Sequence, residues 1–211
     1  MVAGNVEANL SKGLSPSQAV LKRGFDVMGA AVGLALTFWL IVPAWLAASL
    51  DARSNGFFTQ RRVGKDGRLF TVVKIKTMRP SRELTTTVTR SGDPRITPLG
   101  RFFRRTKIDE LPQLWNVLSG DMSFVGPRPD VPGFADALQG AERVMLSIRP
   151  GITGPATLKY RNEEELLAVQ TDPEAYNREV IWPDKVQMNL EYIRYWSLGR
   201  DIRYILDTVF H

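Results

Sequence analysis

Residues 106–129 read TKIDELPQLWNVLSGDMSFVGPRP, and this stretch decides the fold. Its apolar residues recur at the spacing of one stripe of an α-helix: Leu111, Leu114, Trp115 and Leu118. Gly120 stands where helices commonly end, Thr106 is suited to cap the start, and Pro112 is tolerated in a first turn. The sequence therefore predicts a short amphipathic helix.

Two adjacent carboxylates, Asp109 and Glu110, fall at the predicted start of this helix. The positive end of the helix dipole favours negative charge there, so a helix-start acidic pair is one interpretation. Basic residues surround the pair in the sequence: Arg101, Arg104, Arg105, Lys107 and Arg128. They are explained either by charge balance or by a substrate that carries two phosphates and a divalent ion.

Composition limits the chemistry that this chain of 211 residues can perform. It has no cysteine and a single histidine, His211, which excludes disulfides, Cys/His zinc sites, thiol nucleophiles and a Ser-His-Asp triad. The net charge of +6 predicts an anionic partner. Charge alone does not choose between nucleic acid, acidic lipid and a phosphorylated small substrate.

An uncharged run of 24 residues, 27–50, follows a polar stretch, 1–20, that we predict to be a flexible tail. A straight helix of that length could cross a hydrocarbon layer of ~30 Å, which makes a spanning helix the default. Pro43 argues against it, because a kink would leave each arm too short to span. Trp39 and Trp45 suit an interfacial depth, and basic residues flank both ends of the run.

The rest of the chain predicts an α+β fold that is mostly helical with a small β element. Two strand-like pieces, 57–59 and 69–73, are separated by Gly64 and the turn signal Asp66-Gly67. Residues 134–148 read as helical. Residues 192–210 form an aromatic, basic, amphipathic end, and on pattern alone a soluble core helix and an interfacial helix fit it equally well.

The run 108–129 closely resembles the signature of bacterial sugar transferases, the small monotopic membrane phosphoglycosyl transferases. Further matches extend the resemblance over residues 22–210: Lys22-Arg23-x-Phe25-Asp26 with Pro43, Phe58-x-Gln60-x-Arg62-x-Gly64, Lys74-x-Lys76-Thr77-Met78 and Arg149-Pro150-Gly151-Ile152-Thr153-Gly154. The chain departs from the commonest family pattern at 155–160. We expect this segment to line the sugar pocket and to differ because the sugar differs.

The resemblance implies a membrane enzyme in which the tail predicted at 1–20 is followed by a re-entrant membrane helix at 21–53 and a catalytic domain at 54–211. That domain would lie on the cytoplasmic face of the inner membrane and touch lipid through interfacial amphipathic helices. Its partners would be a UDP-sugar, polyprenyl (undecaprenyl) phosphate and membrane lipid. A homodimer is compatible with this expectation, although Gly29-x-x-x-Gly33 carries little weight as a dimer face.

The resemblance also implies roles for single residues in a ping-pong reaction that starts glycoconjugate or exopolysaccharide assembly. Asp109 would attack the sugar-side phosphate and release UMP, and Glu110 would bind Mg²⁺. Substrate contacts would come from five cations: Lys74, Arg104, Arg128, Arg149 and Arg161. Lys74 and Arg104 are expected at the phosphates and Arg128 at the nucleotide end.

Other classes of function use fewer of these features. A basic nucleic-acid-binding module would explain the charge, but the chain has no known binding motif, and we predict no nucleic-acid partner. A membrane-anchored scaffold has no use for the clustered acids and arginines. A nucleotide-binding glycosyltransferase is disfavoured because Asp-x-Asp, G-x-G-x-x-G and G-x-x-x-x-G-K-[ST] are missing from the sequence.

Overall fold

A computed structural model describes residues 13–79 and 93–210 and opens with one long helix, α1, Pro16–Ala52. Ser15 and Gln18 form a reciprocal capping box: Ser15 Oγ accepts from the Gln18 N–H at 3.3 Å, and Gln18 Oε1 accepts from the Ser15 N–H at 2.9 Å. The helix thus begins inside the stretch expected to be a tail. Residues 1–12 of that expectation, and the loop expected at 80–92, lie outside the described residues.

Helix α1 is long and apolar enough to cross a membrane and continues through Pro43. A helical proline leaves one carbonyl without its usual donor, and Thr37 and Ser49 are hydroxyls of this stretch that could replace that donor. They bond elsewhere, because each takes the carbonyl four residues before it: Thr37 Oγ1 donates to Gly33 O at 2.7 Å and Ser49 Oγ to Trp45 O at 2.8 Å.

The predicted β element is present as a hairpin, and its strands are longer than expected. Strands β1 (Phe57–Val63) and β2 (Leu69–Ile75) pair antiparallel, from Phe57 opposite Ile75 to Val63 opposite Leu69. The 3₁₀ turn Lys65–Gly67 joins them, with Asp66 and Gly67 at φ of +58° and +76°. The Asp-Gly signal was therefore correct, because both residue types tolerate the left-handed region.

Two helices flank the acidic pair. Helix α2 (Pro98–Thr106) ends at a left-handed Lys107 with φ of +58°, a 3₁₀ turn covers Ile108–Glu110, and α3 spans Gln113–Ser119. The prediction that Thr106 caps the following helix was wrong. Thr106 is the last residue of the preceding helix, and its hydroxyl donates back to the carbonyl of Phe102 at 2.8 Å. Gly120 ends α3 as expected, with φ of +97°.

The buried face of α3 differs from the predicted apolar stripe. Leu114 is buried, but Trp115 is 62% exposed and Asn116 takes a core position. The Asn116 amide explains the difference because it satisfies the β2 backbone: Nδ2 donates to Thr71 O at 2.8 Å and Oδ1 accepts from Val73 N at 3.1 Å. Pairing with an edge strand therefore outweighs apolar burial at this position.

The C-terminal half is built on a short parallel pair, β3 (Ser123–Val125) and β4 (Gly151–Thr153). The stretch 134–148 forms two 3₁₀ segments, Ala135–Ala137 and Gly140–Ser147, instead of one helix, and Gly140 interrupts them at φ of +56°. The following helices are α4 (Pro155–Lys159), α5 (Glu163–Ala168), α6 (Pro173–Tyr176), the π-helical turn Asn177–Ile181, α7 (Trp182–Arg194) and α8 (Leu198–Phe210).

Buried polar contacts fasten α1 to the C-terminal half. Lys22 Nζ lies 2.6 Å from Asp201 Oδ2 of α8, and Asp201 also accepts from Tyr192 OH at 2.6 Å and Trp196 Nε1 at 3.1 Å. Asp26 accepts from Ser123 Oγ at 3.0 Å and from the Phe124 N–H at 3.1 Å. The N-terminal half of α1 is therefore part of the folded domain.

Close packing also explains Gly29 and Gly33 of α1. A Cβ at Gly29 would lie 2.8 Å from the ring of Phe124, and one at Gly33 would lie 3.2 Å from Leu114. These glycines face the chain's own β3 and α3, so they do not form a dimer surface. The mostly helical α+β expectation is confirmed, while the re-entrant course of α1 and the interfacial position of α8 stay predictions.

Candidate active site

The left-handed Lys107 turns the chain between α2 and α3 and places the two carboxylates. The turn is closed by hydrogen bonds from Lys107 N to Arg104 O at 3.3 Å and from Glu110 N to Lys107 O at 3.1 Å. Ile108 is anchored in an apolar cluster with Phe103 of α2 and with Ala44 of α1, the residue after Pro43. The acidic pair is thereby held next to both the hairpin and α1.

Asp109 is a buried carboxylate with an unused oxygen. The residue is 8% exposed, and among the described residues its Oδ1 has no hydrogen-bond partner. Burial, followed by the negative charge of Glu110, raises the pKa of Asp109 to about 6, against the opposing charges of Lys74, Lys107 and Arg104. At neutral pH Asp109 is therefore an ionised but poorly solvated carboxylate, which is the state that a nucleophile requires.

Glu110 has a different environment although it is the next residue. Lys74 Nζ of β2 lies 3.1 Å from Glu110 Oε1, and this contact does not use the second oxygen, Oε2. Burial alone would raise the pKa of Glu110, but the charges of Lys74, Arg128 and Lys107 outweigh it and hold that pKa below its usual value. Two neighbouring carboxylates thus have pKa values pushed apart, a pattern typical of separate catalytic roles.

Two of the predicted arginines lie around the pair. Arg104 is oriented by Thr77, whose Oγ1 accepts from Nε at 3.1 Å, and its charge acts on Asp109. Arg128 is exposed, and its charge acts on both Lys74 and Glu110. The structure therefore brings together five of the predicted site residues: Asp109, Glu110, Lys74, Arg104 and Arg128.

The remaining two predicted cations are not among the main influences on the pKa values of Asp109 and Glu110. Arg149 Nε donates to the carbonyl of Gly120 at 2.7 Å, at the end of α3 away from Asp109. Arg23 shares that helix end, since it donates to Val117 O at 2.6 Å and Leu118 O at 2.9 Å. Arg161 is exposed between α4 and α5. Their roles in substrate binding stay predictions.

Glycine contacts explain how the loop that carries Arg128 is positioned. Gly126 N donates to Thr153 O at 2.9 Å, and Gly151 N donates to Pro127 O at 2.8 Å. A Cβ on Gly126 would lie 2.5 Å from the carbonyl of Arg149, and one on Gly154 would lie 2.5 Å from that of Gly126. The stretches 126–129 and 149–154 are therefore one structural unit whose backbones touch.

Sequence reasoning missed two residues that shape the site. Asn116 fixes the backbone on either side of the β2 segment that leads into Lys74, and the only sequence signal was an amide inside an apolar helix pattern. Asp130, just after Arg128, is a carboxylate whose pKa burial raises to about 6. Nothing in the sequence around Asp130 marks it as part of the site.

The donor atoms of the site fit a hard divalent cation. The described residues contain no group of three or more potential metal ligands. A Mg²⁺ ion, however, typically takes only one or two carboxylates, with substrate phosphates and water completing its shell. Glu110 Oε2 and Asp109 Oδ1, which has no partner among the described residues, are such oxygens, and they lie beside the cations that suit phosphate.

Comparison with known proteins gives matches along nearly the whole chain. A family model described as bacterial sugar transferase matches residues 17–211. A relative named UDP-glucose:undecaprenyl-phosphate glucose-1-phosphate transferase, from Escherichia coli (strain K12), is 36% identical over 202 residues, which are 93% of this chain and 41% of the relative. The galactosyl transferase CpsE of Streptococcus agalactiae serotype III (strain NEM316) is 35% identical over 92% of this chain and 42% of its own length.

A shorter relative has the same name as the Escherichia coli protein. This protein, from Caulobacter vibrioides (strain ATCC 19089 / CIP 103742 / CB 15), is 36% identical over 194 residues, covering 89% of this chain and 68% of the relative. The chain thus spans about two fifths of the length of the first two relatives and about two thirds of this one.

Proposed function

We propose, since the chain belongs to the bacterial sugar transferase family, that it transfers a sugar-1-phosphate from a UDP-sugar to polyprenyl phosphate. The products are UMP and a polyprenyl-diphosphate-sugar, on which a glycoconjugate or exopolysaccharide is then assembled. The relatives' names support this reaction class. The observation that carries the proposal is the buried Asp109 carboxylate. Its Oδ1 has no partner among the described residues, and the carboxylate lies beside Lys74, Glu110 and Arg104.

The first half-reaction uses Asp109 as the nucleophile. Its oxygen attacks the phosphorus that bears the sugar, a P–O bond forms, and the bond to the bridging oxygen breaks. UMP leaves with that oxygen and its electron pair. The sugar phosphate is then held on the enzyme as an acyl phosphate of Asp109, and this mixed anhydride is itself reactive.

The second half-reaction restores the carboxylate. An oxygen of the polyprenyl phosphate attacks the same phosphorus and displaces the Asp109 oxygen, which gives the diphosphate-linked lipid. Both steps move negative charge between phosphate oxygens, so most of the catalysis is electrostatic stabilisation and positioning.

The cations of the site supply that stabilisation. Lys74 interacts with both carboxylates, so it can hold a phosphate close to Asp109 while remaining next to Glu110. Arg104 and Arg128 approach from α2 and from the 126–129 loop, and their guanidinium groups suit two-point contacts with phosphate oxygens. A Mg²⁺ ion held by Glu110 would neutralise further charge on the two phosphates.

We further propose that the protein enters the membrane from one side only, the cytoplasmic face. Residues from both halves of α1 pack on the same domain: Lys22 and Asp26 near its start, and Ala44 and Ala48 after Pro43. A straight helix crossing the bilayer would carry these contacts to opposite faces. Helix α1 also leaves large apolar side chains exposed: Val32, Leu36, Phe38, Trp39, Leu46 and Leu50.

Helix α8 extends this apolar surface. Its large exposed apolar residues recur along one face of the helix: Ile202, Leu206, Val209 and Phe210. The buried Lys22–Asp201 pair fixes α8 against α1, so both helices can reach the lipid together. This arrangement would bring the lipid phosphate to the nucleophile, since Ala44 of α1 and Ile108 belong to one apolar cluster.

The test is UMP release by the purified protein with undecaprenyl phosphate and a panel of UDP-glucose, UDP-galactose, UDP-N-acetylgalactosamine and UDP-N-acetylglucosamine. We expect at least one donor to give lipid-dependent UMP release. Asp109→Asn should abolish it, whereas Asp66→Asn, the same chemical change at an exposed turn, should not. A non-catalytic membrane scaffold would release no UMP from any donor.

A further inference from the structure

A second group of charged side chains adjoins the catalytic carboxylates. Arg62 of β1, Asp130, Glu163 of α5 and Lys185 of α7 form what we call the Asp130 cluster. Arg128 joins the two groups because its charge acts on Glu110 and Lys74 on one side and on Asp130 and Arg62 on the other. A molecule whose phosphates lie at Lys74 and Arg128 can therefore extend toward the Asp130 cluster.

The Asp130 carboxylate has unused hydrogen-bonding capacity. Its backbone is fixed, since Val63 N donates to Asp130 O at 2.9 Å, but its carboxylate makes no hydrogen bond within the described part of the chain. Burial is the largest influence on its pKa, which rises to about 6 against the charges of Lys185, Arg128 and Arg62. An ionised carboxylate accepts up to about four hydrogen bonds.

The cations near Asp130 already have other partners. Lys185 Nζ lies 2.6 Å from Glu163 Oε2. Arg62 donates from Nη2 to Gln60 Oε1 at 2.6 Å and from Nη1 to Pro129 O at 3.1 Å, while its buried Nε has no partner among the described residues. As far as the described residues show, the cluster thus combines an acceptor without a hydrogen bond, the Asp130 carboxylate, with a donor without one, Arg62 Nε.

The cluster adjoins the segment at which the chain departs from its family pattern. Tyr160 OH donates to Asp184 Oδ2 of α7 at 2.7 Å, and Lys185 lies over the Tyr160 ring at 5.5 Å from its centre. Glu163 follows three residues later and pairs with Lys185. Residues 155–160, which we expect to line the sugar pocket, are therefore fastened to the helix that carries Lys185.

From this arrangement we propose that the Asp130 cluster binds hydroxyl groups of a sugar ring of the donor, with Asp130 accepting and Arg62 and Lys185 donating hydrogen bonds. The inference rests on the proposed function. An unpaired carboxylate repels phosphate, and the lipid tail offers it no donors. The hydroxyl-rich parts of a nucleoside-diphosphate sugar, its transferred hexose and its ribose, fit such a site.

The variant Asp130→Asn removes the charge with little change in shape. We expect kcat/KM for the preferred UDP-sugar to fall roughly 10- to 100-fold, the usual loss for a hydrogen bond to a charged group. Lys185→Gln should shift the same quantity in the same direction. Asp66→Asn serves as the matched control, and unfolding temperatures verify that each variant is folded.

Two measurements distinguish binding of the transferred hexose from binding of the ribose. If Asp130 holds the hexose, Asp130→Asn changes the ratio of kcat/KM values for UDP-glucose and UDP-galactose and leaves inhibition by UMP unchanged. If Asp130 holds the ribose, Asp130→Asn weakens inhibition by UMP by the same factor as it lowers kcat/KM for the UDP-sugar. The variant should then be inhibited equally by UMP and 2′-deoxy-UMP, whereas the unmutated protein is inhibited more strongly by UMP. Folded Asp130→Asn and Lys185→Gln with unchanged donor ratio, kcat/KM and UMP inhibition would overturn the proposal.

Failure of the proposed function would look different. In that case the unmutated protein itself would release no UMP from any donor of the panel. The Asp130 cluster would then still be tested by calorimetric titration of the unmutated protein and Asp130→Asn with UMP and UDP-glucose, where equal affinities would overturn it.

Discussion

Replacing the proposed nucleophile should stabilise the protein. Burial and the charge of Glu110 raise the pKa of Asp109 from 3.8 to about 6. A shift of one unit corresponds to about 1.4 kcal/mol, so ionised Asp109 lowers the free energy of unfolding by about 3 kcal/mol. Asp109→Asn keeps the shape, removes the charge, and breaks no hydrogen bond between Oδ1 and the described residues. At pH 8 we therefore expect the variant to be more stable by about that amount.

The gain should depend on pH in a defined direction. Between pH 3.8 and about 6, Asp109 is protonated in a larger fraction of folded molecules than of unfolded ones. The stability that this group contributes is full below the lower value and is lost as pH rises through the higher one. The advantage of Asp109→Asn should thus be small near pH 4, grow up to about pH 6.5, and stay constant above it.

The assay is thermal unfolding of the purified protein in detergent, in EDTA and without substrate. For a chain of this size, 1 kcal/mol shifts the midpoint by roughly 2–4 °C, so we expect a rise of roughly 6–12 °C at pH 8. Asp66→Asn at the exposed turn should give no comparable rise. A midpoint that is unchanged at pH 8, or a gain of the same size at pH 4, would refute this account of the carboxylate.

Three further perturbations test other parts of the account. Chelation with EDTA should stop UMP release, and added Mg²⁺ should restore it. Glu110→Gln should stay inactive even with Mg²⁺. Turnover in EDTA would show that the metal assignment is wrong. Pro43→Leu should let α1 span the membrane in a fraction of molecules. An impermeant reagent should then label single cysteines introduced at Ser17 and Ser54 from opposite faces of the membrane. Labelling from opposite faces with Pro43 intact would refute one-sided entry. Asp201→Asn should lower stability by about 3–5 kcal/mol because it leaves a buried lysine unpaired, and an unchanged unfolding midpoint would contradict that.

The local part of the site could be predicted from the sequence because it depends on neighbours in the chain. Asp109 and Glu110 lie on a turn between helices, and the left-handed Lys107 that makes this turn has no distinct residue signature. The same Thr106 therefore fitted the start of one helix and the end of another. Trp115 was assigned to the core because periodicity ranks residues by apolarity, whereas the Asn116 amide is buried to satisfy the edge of β2.

Contacts between distant segments could not be predicted in the same way. The parallel pairing of β3 with β4 depends on backbone approach at Gly126 and Gly151, which single glycines do not reveal. The Asp130 cluster needs four separate segments of the chain, and no local sequence pattern joins them. The expectation that Arg128 and Lys74 lie in one site came from the resemblance to a family, because residue spacing alone does not place them together.

The most direct test of the proposed mechanism is mass spectrometry of the purified protein incubated with its UDP-sugar and no lipid acceptor. We expect a phosphosugar to accumulate on the peptide containing Asp109, with release of UMP, and to disappear when polyprenyl phosphate is added. Asp109→Asn should carry no adduct. An adduct on another residue, or UMP release that requires the lipid and leaves no adduct, would contradict the covalent role of Asp109.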